Sequence, residues 1–219
     1  YGIKFILSGH NLASESILPQ AWGYNAADAR HVKAIQRRFG TVKLKSYPTL
    51  GLLKQYGWYE TVKGVKRINL LDYLPYRYDA AKQAITDELE WRDYGGKHYE
   101  SVFTRYFQGY YLPHKFGFDK RKAHYSSLIL SGQMTRDEAL EKLEQPPYDE
   151  SLRDQDHAFI AKKLGVPVAE LEEIFERPPV DHLSYPNEKW MWDLAMRLTR
   201  RPQQPKSLEE ARQQGYAVR

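Results

Sequence analysis

Ile3-Lys4-Phe5-Ile6-Leu7-Ser8 is a strand-sized apolar run that stops at Gly9-His10-Asn11. Its composition predicts a buried strand. Ala26 to Phe39 follows with helical spacing: Ala29, Val32, Ala34, Ile35 and Phe39 are apolar among Arg30, Lys33, Arg37 and Arg38. Asn25 is the expected N-cap and Gly40 the stop. Val42 to Tyr47 alternates and predicts an edge-like strand, and Thr49 to Lys63 predicts a helix rich in aromatics. Val65 to Leu71 (VKRINLL) predicts the next strand, closed by Pro75. Strand, helix, strand in this order is the pattern of an α/β sheet with parallel pairing, in which Ile3–Ser8 and Val65–Leu71 share one sheet.

Beyond Pro75 only helices are predicted: Asp79–Leu89, Tyr99–Tyr111, Asp119–Leu130, a helix opened by Thr135-x-x-Glu138, Glu150–Leu164, Val168–Phe175 and Asn187–Thr199. The expected organisation is therefore residues 1–75 as an α/β portion, 76–200 as an all-helical portion and 201–219 as a basic tail. Pro146-Pro147, Pro178-Pro179 and Pro186 punctuate the helical part.

At 219 residues, with 42% hydrophobic and 28% charged residues, the chain has the apolar material for a packed core and is too apolar for a disordered one. No run approaches the roughly 18 to 20 apolar residues that span a bilayer. There are no cysteines, which excludes disulfides, a thiolate nucleophile and cysteine-bound metal and fits a cytoplasmic location. The chain opens on Tyr1 rather than Met, which reads as a fragment. Net charge is +5, of which the stretch from Arg197 to Arg219 carries +4 (six basic, two acidic). The remaining sum near neutrality speaks against a nucleic-acid partner.

The chemistry concentrates between Trp91 and Ser127, WRDYGGKHYESVFTRYFQGYYLPHKFGFDKRKAHYSS. Gly95-Gly96 marks a turn where backbone can approach a ligand. Tyr99, Phe103, Tyr106, Phe107 and Tyr110 form one helical stripe, expected as core; Lys97, Ser101, Thr104, Gln108 and Tyr111 form the opposite, hydrogen-bonding stripe. From Arg92 to Lys122 there are seven basic and three acidic residues. That excess suits a diphosphate-bearing ligand, or equally an exposed pair of salt-bridged helices. His98 and His124 are acid–base candidates or structural histidines. No metal-ligand spacing, catalytic triad or Walker loop is present.

The string WRDYGGKHYES-x-FTR-x-FQGY-x-LP-x-KFG-x-DKRKAH-x-S-x-LI-x-SGQMTR-x-EAL closely resembles the N-acetyl sugar amidotransferases of lipopolysaccharide and surface-sugar biosynthesis. The likeness extends upstream through SGHNLASESILPQAW (Ser8–Trp22), KLKSYP (Lys43–Pro48) and LLDYLPY (Leu70–Tyr76), covering roughly residues 3 to 185. It implies the C-terminal part of a Rossmann-like PP-loop ATP pyrophosphatase domain (adenine nucleotide alpha hydrolase-like), followed by a helical substrate domain. It also implies ATP and Mg2+, an adenylated intermediate, and conversion of an acetamido group on a nucleotide-linked sugar to an acetamidino group. Ammonia is expected from a separate glutaminase through a cyclase-like channel subunit. The family's Ser-Gly-Gly-x-Asp-Ser loop is absent, as is its Cys-rich element, the one place where zinc is expected; activity is therefore expected only together with residues preceding Tyr1.

The resemblance also distributes roles. Gly9, His10, Asn11 and Glu15 stand where PP-loop enzymes place a strand-end motif near the nucleotide, and Lys120 and Arg121 are expected on phosphate. Lys97, Glu100, Ser101, Arg105, Gln108 and Lys115 are expected on the sugar nucleotide, with His98 or His124 taking a proton. Lys97, His98, Glu100, Ser101, Arg105, Gln108, Lys115, Lys120, Arg121 and His124 are predicted to converge on one cleft at the carboxyl ends of the strands. Two other readings are a tRNA-modifying PP-loop enzyme and a non-catalytic module that docks an ammonia-supplying partner.

Overall fold

The structure is a computed structural model and describes residues 2–22 and 27–198. The expected cap at Asn25, the helix start at Ala26, the helix end at Thr199 and the tail 201–219 lie outside the described residues.

β1 (Phe5–Ser8) and β2 (Lys66–Asn69) pair in a parallel two-stranded sheet. Lys66 N–H donates to the Lys4 carbonyl at 2.8 Å, beside the Lys4 Nζ bond to the Lys63 carbonyl. The chain is otherwise helical, and no further strand occurs among the described residues. β1 was expected to be buried; instead Phe5, Ile6 and Leu7 are all exposed. Successive strand side chains point to opposite faces, so neither face of β1 is covered by the described residues. Val42–Tyr47 is not a strand either. The Gln36 side chain donates to the Val42 carbonyl at 2.7 Å, and Lys45 N–H folds back onto the Lys43 carbonyl at 3.0 Å. Those two bonds occupy the groups a ladder would need.

By its contacts the chain divides into two compact units, which do not follow the expected cut near residue 76. Among the described residues the first comprises 2–8, 19–22, 27–68 and 180–198, and the second comprises 9–18 and 69–179. In the first unit α2 (Ala29–Phe39) is capped by Asp28, whose Oδ1 accepts from His31 N–H at 2.7 Å. The other Asp28 oxygen accepts from Glu188 N–H at 2.6 Å, and the Glu188 carboxylate accepts from Leu52 N–H at 2.8 Å. This polar relay ties α2 to the start of α10 (Lys189–Leu198) and to the π-helical segment Leu53–Val62.

The second unit starts with α1 (Leu12–Glu15), one turn capped by Asn11. α3 (Tyr78–Leu89) follows β2 and ends at Glu90 in the left-handed region, φ 52°. Next comes one continuous helical run: α4 (Val102–Arg105), a π-turn over Tyr106–Tyr111, and α5 (Leu112–Phe116), stopped by Gly117. α6 (Lys120–Leu130), α7 (Arg136–Glu144), α8 (Arg153–Leu164) and α9 (Val168–Glu176) complete it. The capping box read at Thr135 is formed, each partner satisfying the other's orphan backbone donor.

The core of this unit gathers Tyr106, Tyr110, Tyr148, Ile160, Ala161 and Leu171. The aromatic stripe predicted as one face splits. Tyr106 and Tyr110 are buried, whereas Phe103 and Phe107 stack on the outside with ring centroids 5.7 Å apart. The i→i+5 ladder turns the chain less per residue than an α-helix does, so the 3.6-residue register lapses at Tyr106. Gly109 sits inside that turn, where a Cβ would meet the Pro147 carbonyl and the Tyr99 hydroxyl, each at 2.9 Å.

Candidate anion-binding cleft

The second unit contains an open cleft of about 1440 Å³. Three local features build it. Asn11 Oδ1 accepts from both the backbone N–H and the hydroxyl of Ser14, which fixes the α1 turn and brings Glu15 to the cleft. α1 is held on α6, where Ile17 N–H donates to the buried Ser127 hydroxyl at 3.0 Å and Ser131 donates to the Ala13 carbonyl. The Gly95-Gly96 turn, with Gly95 at φ 78° and its N–H on Asp93, delivers Lys97 and His98 from the other side.

At the centre Lys97 Nζ lies 2.5 Å from Glu15 Oε1, and His10 stands 3.6 Å from the other Glu15 oxygen. Burial pushes the Glu15 pKa up, but the Lys97 hydrogen bond and charge, His10 and the Asn11 backbone outweigh it, and the net shift is downward. His124 Nδ1 is 3.0 Å from the Ser14 carbonyl, and the ring packs edge-on against Tyr78. A carbonyl only accepts, so Nδ1 carries the proton and Nε2 keeps its lone pair. Burial, with help from the Lys97 charge, lowers the His124 pKa against the smaller opposing pull of the Ser14 bond, which favours that neutral form.

Lys120, the first residue of α6, lines the cleft half-buried and has no hydrogen-bond or ion-pair partner among the described residues. Burial, and then the Lys97 charge, lowers its pKa. An unpaired ammonium at a helix N-terminus beside a second lysine favours an anion. Arg121 differs: it is bonded to both Asp119 oxygens and donates to the Gln145 carbonyl at 2.7 Å, so its donors serve the fold.

Of the residues expected at the site, His10, Glu15, Lys97, His98, Glu100, Gln108, Lys120, Arg121 and His124 line the cleft. Five do not. Arg105 forms a two-bond pair with Asp156, through Nε at 3.0 Å and Nη2 at 2.6 Å, and Tyr148 completes that carboxylate at 2.8 Å. Lys115 donates to the Ile174 and Phe175 carbonyls, capping the end of α9. Ser101 caps α4, Asn11 caps α1, and Gly9 is exposed with open space around it. Apart from Gly9, these departures share one cause: a polar side chain at a helix end or over a buried carboxylate is consumed by backbone and core demands.

An aromatic wall was not foreseen. Tyr76, Tyr78, Trp91, Tyr94 and Tyr125 line the cleft, with Lys82 paired to Asp93 at 2.5 Å and lying over the Trp91 ring. Trp91 and Tyr94 were visible in the quoted string; Tyr76 and Tyr78 arrive through Gln133, which bonds the Tyr76 carbonyl and the Tyr78 N–H. Among the described residues no group of three or more His, Cys, Asp or Glu is arranged to hold a metal, and no helix is long and apolar enough to cross a membrane.

Residues 100–199 match the family described as LPS biosynthesis protein WbpG-like, C-terminal domain. No curated protein and no solved structure matches the chain. The matched segment contains α4 to α10 and contributes Glu100, Gln108, Lys120, Arg121 and His124 to the cleft; His10, Glu15, Lys97 and His98 come from outside it.

Proposed function

Starting from residues 100–199 as the C-terminal domain of a WbpG-like LPS biosynthesis protein, we propose that the chain is the substrate-binding part of an ATP-dependent N-acetyl sugar amidotransferase. The reaction replaces the carbonyl oxygen of an acetamido group by nitrogen, through an adenylated intermediate, on a nucleotide-linked sugar. The observation that carries this reading is that Lys120, an ammonium with no partner among the described residues, and the neutral His124 imidazole line one aromatic-walled cleft.

Lys120 takes the diphosphate of the sugar nucleotide by charge-assisted hydrogen bonds. The Tyr and Trp side chains offer flat apolar surface with hydroxyl and indole donors at the rim, suited to a sugar and a nucleobase. Lys97 and Glu15 hold one another, with the Lys97 charge felt by both Lys120 and His124. His124 Nε2 accepts the proton that an attacking ammonia must lose, and the Ser14 carbonyl stabilises the imidazolium that forms.

The Lys120 ammonium suits a diphosphate, and the residues described around it offer no set of ligands for magnesium. The Arg121 guanidinium is already engaged by Asp119 and the Gln145 carbonyl, Gly95 N–H is bonded to Asp93, and the described residues hold no carboxylate cluster for a metal. The glutaminase and its channel subunit enter the proposal only as the source of ammonia.

Calorimetric titration of the chain with a UDP-linked N-acetylhexosamine, UDP-glucose and tRNA tests the reading. Binding of both nucleotide sugars, stronger with the acetamido group and abolished by neither magnesium nor its chelation, is the expected result. Binding of tRNA in preference to either sugar nucleotide sinks it.

A further inference from the structure

We propose that the first unit docks on an anionic lipid surface through the end of α2 and the loop that follows it. The near-neutral sum of charge before residue 197 conceals a segregation. The described residues of the first unit carry 13 Lys and Arg against five Asp and Glu, a net +8. The second unit carries 15 against 21, a net −6. The exclusion of polyanionic partners by total charge therefore does not hold for the first unit.

The basic residues are exposed and form a row. Arg30, Lys33 and Arg37 stand at i, i+3 and i+7 on α2, all exposed, and no carboxylate pairs with them among the described residues. Gln36 shares that surface with Lys33 and Arg37, and its side chain holds the Val42 carbonyl. The loop is thereby folded back beside the helix, with Lys43 and Lys45 both exposed. Between these charges stand apolar tips: Val42 is 76% exposed and Tyr47 63%, with Leu44 also exposed.

This mixture selects the partner. Nucleic acid gains from cations and from flat side chains on which bases stack, and it gives nothing to Val42 or Leu44. A bilayer surface of anionic headgroups attracts the basic row and accepts aliphatic and tyrosine tips at the acyl boundary. Attachment of this kind needs no spanning helix. The proposal is independent of the cleft and of the reaction assigned to it.

Co-sedimentation of the 219-residue chain with vesicles of phosphatidylcholine alone, or of equal parts phosphatidylcholine and phosphatidylglycerol, provides the test. Pelleting is expected with the mixed vesicles only and is released by high salt. Lys43→Glu with Lys45→Glu should lower partitioning at least tenfold, since each basic residue at such a surface is worth about fivefold. Val42→Ser with Leu44→Ser should weaken binding at every salt concentration that leaves the parent chain bound. Lys162→Glu with Lys163→Glu, exposed on α8 in the acidic unit, should change nothing. All six positions are exposed, and circular dichroism checks that each variant is folded. Equal binding to both vesicles, no binding, or retention by the Lys43/Lys45 variant overturns the proposal. So does polyuridylate binding that the same two lysine substitutions abolish while vesicle binding survives.

Discussion

Lys97 Nζ sits 2.5 Å from Glu15 Oε1 across 82 positions of sequence, and this contact joins the turn before α4 to the α1 segment that follows β1. Both side chains are about a quarter exposed, so the pair is partly shielded from water and more sensitive to removal than a surface pair.

The Glu15 carboxyl is held below its ordinary range in the folded chain. A depressed carboxylate contributes stability that is complete above the unfolded value of about 4.3 and is lost as pH falls through the folded value. Glu15→Gln should therefore lower stability at neutral pH and converge with the parent in acid, once pH has fallen below the lowered folded value. Urea denaturation at the two pH values measures it; equal loss at both would assign the effect to packing rather than charge.

Arg105 and Asp156 make the complementary case. Asp156 is 1% exposed and satisfied by Arg105 and Tyr148 together. Arg105→Ala leaves a buried carboxylate short of its cation and should cost about 3 kcal/mol. Affinity of the cleft for a nucleotide sugar should not change, because Arg105 does not line it. A large loss of affinity in a still-folded Arg105→Ala chain would return that residue to the site.

Lys120 should behave in the opposite way. Burial already disfavours its charged form, so Lys120→Ala should leave the melting temperature nearly unchanged. Affinity for a UDP-linked sugar should fall about tenfold or more, the worth of one charge-assisted hydrogen bond. Because the folded-state pKa is lowered, parent affinity should decline with rising pH earlier than a free lysine would dictate. Titration calorimetry over a pH series reads both effects.

Gly109→Ala should destabilise the second unit by about 1–3 kcal/mol. The added methyl meets a backbone carbonyl at 2.9 Å, which cannot rotate away as a side chain can. Thermal denaturation of the variant is the check, and a neutral result would mean that the π-turn relaxes to an ordinary helix.

Much of the local structure was legible without coordinates. The parallel pairing of the two strands follows from the order strand, helix, strand. The capping box at Thr135 and the start of α6 after Asp119 follow from residue chemistry at helix ends, whereas the helix expected over Tyr99–Tyr111 runs instead from Val102 to Phe116. The resemblance to surface-sugar enzymes also stood in the sequence, and the match over residues 100–199 agrees with it at the level of LPS biosynthesis.

What tertiary structure alone decided is which polar side chains are free. Arg105, Lys115 and Lys120 are alike in sequence, each a long cation in an aromatic, basic stretch. Asp156 lies 51 positions beyond Arg105, and the Ile174 carbonyl lies 59 beyond Lys115, while among the described residues no such partner reaches Lys120. Helix capping and hydrophobic periodicity act over three or four residues, so a sequence expresses them directly. Satisfying a cation is a contest among groups that meet only once the chain has folded, and it is that contest which left Lys120 available in the cleft.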